Sequence, residues 1–207
     1  MEKLDLFLNL LNFSCKSFLF VAFLNHYMII GICGTNGAGK GSVVLFLIKS
    51  GFKHYSVRGF LLEELARQGL KPTRDNMIWI ANNIRKTEGS DFIIKSLIEK
   101  SKGKVVVESI RCLSEAKYLK EQGAFLLGVD ADIALRYDRA VKRASTTDSV
   151  SFSEFVALEK KELDNKDEYK QNIRACLDLC DYIVENNSDF KELERQVDEF
   201  LKFLELK

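Results

Sequence analysis

An apolar run that breaks into closely spaced glycines, a lysine and a serine constrains this chain more than any other feature. Residues 28–42 read MIIGICGTNGAGKGS and VVLFLIK follows, so a strand, a glycine loop and a helix are predicted in that order. Gly34, Thr35, Asn36, Gly37, Ala38, Gly39, Lys40, Gly41 and Ser42 have the layout of a phosphate cradle. Glycines admit backbone angles that a Cβ forbids, so successive N–H groups can converge on one anion. The N-terminus of the next helix adds the positive end of its dipole. Lys40 is expected to cap the β- and γ-phosphates of a nucleotide. The residue after it is Gly41, and the hydroxyl arrives one place later, at Ser42.

Composition sets the frame for that loop. A chain of 207 residues, 46% of them apolar, is enough for one domain with a sizeable core, which excludes disordered and fibrous classes. Thirty-one Lys and Arg against thirty Asp and Glu leave no net excess to attract nucleic acid or an acidic membrane, so any basic site must be local. Cys15, Cys33, Cys112, Cys176 and Cys180 contain no Cys-x-x-Cys pair and are read as free thiols, in keeping with a cytoplasmic location. With His26 and His54 as the two histidines, a His/Cys metal site is hard to assemble. Residues 1–27 are rich in Leu and Phe, but Glu2, Asp5 and Lys16 spoil both a signal peptide and a membrane span. They are expected to be an extension, amphipathic or loosely packed, in front of a domain that runs over 28–207.

Downstream, strand and helix patterns alternate. After the helix at 40–50 come a short strand at His54–Val57, a helix over FLLEELARQG, and a helix opened by Pro72 and Thr73. In that helix Met77, Ile80, Ala81 and Ile84 recur at core spacing, whereas Arg74, Asn82 and Arg85 fall on another face. A helix near 90–101 follows. Lys104–Ser109 and Ala124–Asp130 are continuous apolar runs ending near an acid, as expected of parallel strands buried on both faces with functional residues at their carboxyl ends. Helices are expected near 113–122, 133–143, 152–164 and 170–179, with a last strand at Tyr182–Val184 and a closing amphipathic helix from Phe190. The alternation predicts a three-layer α/β fold with a five-stranded, mostly parallel sheet.

Phosphoryl transfer needs cations and a metal-holding acid around such a loop. Glu108 ends the third strand and is expected, with Ser42, to hold Mg²⁺, while Arg111 reaches the phosphates between two substrates. Arg136, Arg139 and Arg143 lie on one helix face. Asp132 is expected to pair with Arg136, which leaves Arg139 and Arg143 as the catalytic candidates. Ser56, Arg58 and Arg85 are the candidates for binding an acceptor. Asp130 and Asp132 either serve the site or cap the next helix. Asn186 and Asn187 either touch adenine, with Asn187 the candidate, or simply form a turn.

Taken together, ICGTNGAGKGS, YSVRGFLLEELARQGLKPTRDN, VVVESIRCLSEAKYLKEQG, VDADIALRYDRAVKR and CDYIVENN resemble the P-loop kinases of the nucleoside monophosphate kinase and dephospho-CoA kinase group. The Gly-Lys-Gly-Ser ending resembles the nucleoside monophosphate kinase form of the loop. The resemblance spans residue 28 to about residue 203. It implies strand order 2-3-1-4-5, ATP and Mg²⁺, an acceptor-binding region near 56–100 and a lid near 136–152. Departures from the adenylate kinase pattern, Glu at 108 and no Pro before Arg111, bear on the acceptor more than on the donor. The expected activity is transfer of the γ-phosphoryl of ATP·Mg to a nucleoside or deoxynucleoside monophosphate. The alternatives are a kinase for a hydroxyl acceptor such as dephospho-CoA, with Asp130 orienting the nucleophile, and an ATPase switch acting on a protein or RNA partner.

Overall fold

The computed structural model describes residues 28–143 and 150–206. The N-terminal extension, with Cys15 and His26, and residues 144–149 of the expected lid lie outside the described residues. Strand β1 (Met28–Gly34) is the apolar run before the glycine loop, and it sits at the centre of a five-stranded, all-parallel sheet of order β2-β3-β1-β4-β5. Its neighbours are β3 (Lys104–Ile110) and β4 (Phe125–Asp130), with β2 (Lys53–Ser56) and β5 (Tyr182–Glu185) at the edges. Sequence-based boundaries for the strands shift by one residue or so, and the order is the expected one.

Side chains alternate across a strand, so the sheet divides the core in two. Ile29 and Cys33 of β1, with Val105 and Val107 of β3, face one apolar cluster, whereas Ile30, Ile32 and Val106 face the other. The first cluster is covered by α2 (Val57–Arg67), α3 (Arg74–Glu88), α4 (Phe92–Glu99), α5 (Leu113–Glu121) and α8 (Ile173–Asp178). The second is covered by α1 (Lys40–Lys49) and α9 (Phe190–Glu205). Helices α6 (Ile133–Lys142) and α7 (Phe152–Leu163) complete the described elements at the carboxyl edge. The result is a three-layer α/β fold. No helix among the described residues is long and apolar enough to cross a membrane.

Local chemistry explains where the helices begin. Ser56, Thr73, Ser151, Asn172 and Asp189 each accept a backbone N–H of the first turn of the helix that follows, which satisfies a donor that has no intrahelical partner. Two details depart from sequence expectations. Arg85 is buried, 2% exposed, rather than on a polar face of α3, because Glu115 of α5 is buried against it. Arg136 pairs with Glu159 of α7, through two contacts of 2.7 Å, and not with Asp132. Four described cysteines, Cys33, Cys112, Cys176 and Cys180, are free thiols.

Candidate phosphate site

The loop leaves β1 at its carboxyl end and turns into α1, the place where parallel α/β folds bind ligands. It is drawn tight by close backbone contacts. At Gly34 (φ +145°) a Cβ would lie 2.1 Å from the Val129 carbonyl oxygen, and at Gly37 (φ +79°) one would lie 2.3 Å from that of Arg136. The loop is braced from three other elements. Thr35 Oγ1 donates to Asp130, Asn186 Nδ2 donates to the Ala38 carbonyl at 2.8 Å, and Arg143 Nη2 donates to Asn36 Oδ1 at 3.3 Å.

Beside the loop opens a cavity of about 600 Å³. Asn36, Gly37, Gly39, Lys40, Gly41 and Ser42 line one part of it. Glu108, Ser109 and Arg111 enter from the end of β3, and Arg139 and Arg143 from α6 and its C-terminus. Another part has Val57, Leu61, Met77, Ile78 and Ala81 as an apolar wall, with Arg58, Arg74, Arg85 and Glu162 around it. Seven cationic side chains and two carboxylates therefore share the cavity, a concentration of positive charge that the near-neutral chain as a whole does not display.

The cations act on one another. Lys40 Nζ donates to the Gly34 and Thr35 carbonyls at 3.0 and 2.6 Å. Burial, then Arg111 and Arg143, lower its pKa from the usual lysine range to about 7, while Glu108 opposes the shift. Burial pushes the Glu108 carboxyl up, but the nearby His54 imidazole, the hydrogen bond from Ser56 and the charge of Lys40 outweigh it and hold it below its ordinary value. Ser56 Oγ donates to Glu108 Oε1 at 2.9 Å and accepts from the Gly59 N–H at 3.1 Å.

Two guanidinium groups are incompletely matched. Arg85 donates to Glu115 Oε1 from Nε at 3.0 Å and from Nη2 at 2.8 Å, yet its buried Nη1 has no partner among the described residues. Arg139 donates from Nη2 to the Asn186 carbonyl at 2.8 Å, and its buried Nη1 likewise has none. Buried donors are nearly always satisfied, so each lacks an acceptor that a water or ligand atom would supply.

Most of the sequence-predicted residues meet here: Asn36, Gly37, Gly39, Lys40, Gly41 and Ser42 of the loop, with Arg58, Arg85, Glu108, Arg111, Arg139 and Arg143. Gly34 and Ala38 are the loop's buried supports. Ser56 is not a lining residue; its hydroxyl orients Glu108 and caps α2. Asn187 borders a separate shallow depression, and its Oδ1 accepts the Asp132 N–H at 2.7 Å. Asp130 is turned to Thr35 and the Ala131 N–H and does not line the cavity.

Sequence reasoning missed Ser109 and Glu162. Ile32 pairs with Glu108 and Cys33 with Ile110, so Ser109 is a bulge between them, at φ +70°. Such a conformation costs a non-glycine residue about 1 kcal/mol or more, and the bulge re-aims the strand end that carries Glu108 and Arg111. A metal fits this donor set in one respect. Mg²⁺ on substrate phosphates keeps most of its waters and needs one or two protein oxygens, and the ionised Glu108 and the Ser42 hydroxyl line the same cavity as Lys40. No cluster of three or more His, Cys, Asp or Glu suited to a metal occurs among the described residues.

No family model matches the chain. It is 28% identical over 190 residues to a UPF0200 protein of Thermococcus sibiricus, covering 87% of this chain and 97% of that one. A UPF0200 protein of Pyrobaculum aerophilum is 29% identical over 178 residues, 84% of this chain and 96% of the relative. Among solved structures, shikimate kinase from Acinetobacter baumannii superimposes with a TM-score of 0.57 at 14% identity, covering 87% of this chain and 94% of that one. A gluconokinase from Sinorhizobium meliloti gives 0.51 at 15% identity, covering 86% and 96%. The chain shares the fold of these two kinases.

Proposed function

We propose that the chain is an ATP-dependent phosphotransferase that moves the γ-phosphoryl group of ATP·Mg to a nucleoside or deoxynucleoside monophosphate. The observation that carries this reading is one cavity in which the glycine loop and Lys40 meet a second part with an apolar wall and its own arginines. The first part suits a triphosphate. The second suits a planar body carrying a phosphate, with the unmatched Nη1 of Arg85 and the exposed Arg58 near the acceptor. In this reading residues 56–100 supply most of the acceptor side, and Arg139 and Arg143 flank the phosphoryl group from α6 and its C-terminus. An ATP-dependent reaction belongs with the cytoplasm.

The roles follow from charge. Lys40 binds the β- and γ-phosphates and the loop N–H groups orient them. Arg111, Arg139 and Arg143 neutralise the charge on the equatorial oxygens as the phosphoryl group passes in line. Glu108 and Ser42 would hold Mg²⁺, which would supply positive charge against the phosphates. Glu108 need not lose a proton to do so, since its carboxyl is held below the ordinary value and is already ionised. A phosphate acceptor is already an anion at neutral pH and requires no general base. That favours it over a hydroxyl acceptor, because the carboxylates at hand are engaged: Asp130 by Thr35 outside the cavity, Glu108 by Ser56, and Glu162 by Arg74 and Arg111.

The test is ADP release from ATP·Mg, alone and with a panel of ribo- and deoxynucleoside monophosphates and dephospho-CoA, with products identified by mass. One monophosphate that strongly stimulates release and gains a phosphoryl group is the expected result. Phosphorylated CoA as the product overturns the acceptor class. Slow release indifferent to every acceptor overturns transfer in favour of an ATPase.

A further inference from the structure

One carboxylate in the acceptor part of the cavity already holds two arginines. Glu162 Oε1 accepts from Arg74 Nη2, and Glu162 Oε2 accepts from Arg111 Nη1 at 2.9 Å. Arg74 is the first residue of α3, Arg111 follows β3, and Glu162 is near the end of α7, so three distant parts of the chain converge on this point. All three line the cavity, and all three are largely shielded, with side-chain exposures of 20%, 24% and 10%.

The arrangement is that of an anion site with an occupant. Two guanidinium groups, each on a different oxygen, are how a phosphate monoester is gripped as well as a carboxylate. The occupant is mounted on a helix seated partly by aromatic packing, Phe152 and Phe155 against Tyr137, and partly by ion pairs. In α7 the buried residues are Phe155 and Glu162. One turn before Glu162, Glu159 binds Arg136 on the side of the glycine loop. The two carboxylates thus anchor α7 at two points, one on the donor side and one on the acceptor side. The acceptor-side anchor is the one that a substrate phosphate can compete for.

We infer that Arg74 and Arg111 form a subsite for the phosphate monoester of the acceptor, and that Glu162 fills this subsite in the resting protein and is displaced when the acceptor binds. The identity of the occupant rests on the proposed transferase reading; the subsite does not need transfer to be tested. While Glu162 is in place, the charge of Arg111 is matched and unavailable to a γ-phosphoryl group. Acceptor binding frees α7 at that anchor and leaves Arg111 against phosphate, which couples occupancy of the acceptor site to completion of the donor site.

The sign of one substitution tests this. Inorganic phosphate is titrated by calorimetry into the full-length protein, without nucleotide, for wild type, Glu162→Gln, Glu162→Asp and the double variant Glu162→Gln with Arg74→Gln. Removing an internal competitor raises the fraction of open subsites, so Glu162→Gln is expected to bind phosphate about five- to tenfold more tightly. Glu162→Asp, whose shorter carboxylate cannot span both arginines, shows the same direction with a smaller gain and serves if the Gln variant does not fold. Adding Arg74→Gln abolishes the gain. Unchanged or weaker binding in Glu162→Gln overturns the inference, since it means that Glu162 orients the arginines rather than competing with the anion. A gain that survives Arg74→Gln overturns the location. A panel in which no acceptor is phosphorylated removes the proposed function and leaves this result standing, so the two failures are distinguishable.

Discussion

Binding of a triphosphate should draw a proton from solution, and Lys40 should be the group that takes it. In the unliganded protein burial and the neighbouring Arg111 and Arg143 lower its pKa to about 7. At pH 8 a lysine of that pKa is about nine-tenths neutral, and even with a pKa a unit higher, as water in an open cavity would produce, about half neutral. Phosphate oxygens against the amine favour the charged form and return the pKa toward the lysine range. The phosphates themselves, with a pKa of about 6, are already ionised at that pH. The expected uptake by Lys40 is therefore roughly 0.5–0.9 proton per site at pH 8, falling to about 0.1 or less at pH 6, where a phosphate of pKa about 6 gives up protons of its own on binding. Calorimetric titration with a non-hydrolysable ATP analogue and Mg²⁺, repeated in buffers of different ionisation enthalpy, reads the number from the slope. Lys40→Arg, charged throughout, should show none. Tight binding to wild type with zero uptake at pH 8 would refute the reasoning. It would mean either that Lys40 is fully charged before the ligand arrives or that it does not meet the phosphates.

Two further outcomes can be measured directly. Gly34→Ala sets a Cβ against the Val129 carbonyl in a left-handed backbone, and should cost about 3 kcal/mol or more in denaturant unfolding; an unchanged midpoint would sink the close-approach argument. Arg139→Ala should lower turnover about 10²-fold while changing ATP affinity far less, because its unmatched Nη1 is assigned to charge that develops during transfer; equal losses in both would argue for simple binding.

The parts of this molecule that were legible in the sequence are those written by local pattern. β1, β3 and β4 are continuous apolar runs because parallel strands are covered on both sides, and the glycine loop announces itself through residue types that only its backbone requires. The illegible parts depend on partners far along the chain. Arg85 lies one turn beyond Ala81 and so belongs to the buried stripe of α3, but an arginine is tolerable there only because Glu115, 30 residues on, is fully buried beside it. Arg136 had an acid at i−4 in Asp132, and took Glu159 on another helix instead. Glu162 reads as one more charge on an amphipathic helix, and its partners are 51 and 88 residues away. The bulge at Ser109 is a one-residue change of register, which leaves no trace in an otherwise apolar run.

The bracing of the glycine loop has a consequence for biosynthesis. Residues 34–40 are among the first of the domain to be made, but their supports come late. Gly34 packs on Val129, Thr35 is held by Asp130, the Asn36 side chain by Arg143 and the Ala38 carbonyl by Asn186. β1 itself waits for β3 and β4 before it has any neighbour in the sheet. On a ribosome, then, the oldest stretch of this domain acquires its shape late, and a nascent chain that stops short of Asn186 carries the whole phosphate motif without the scaffold that holds it open.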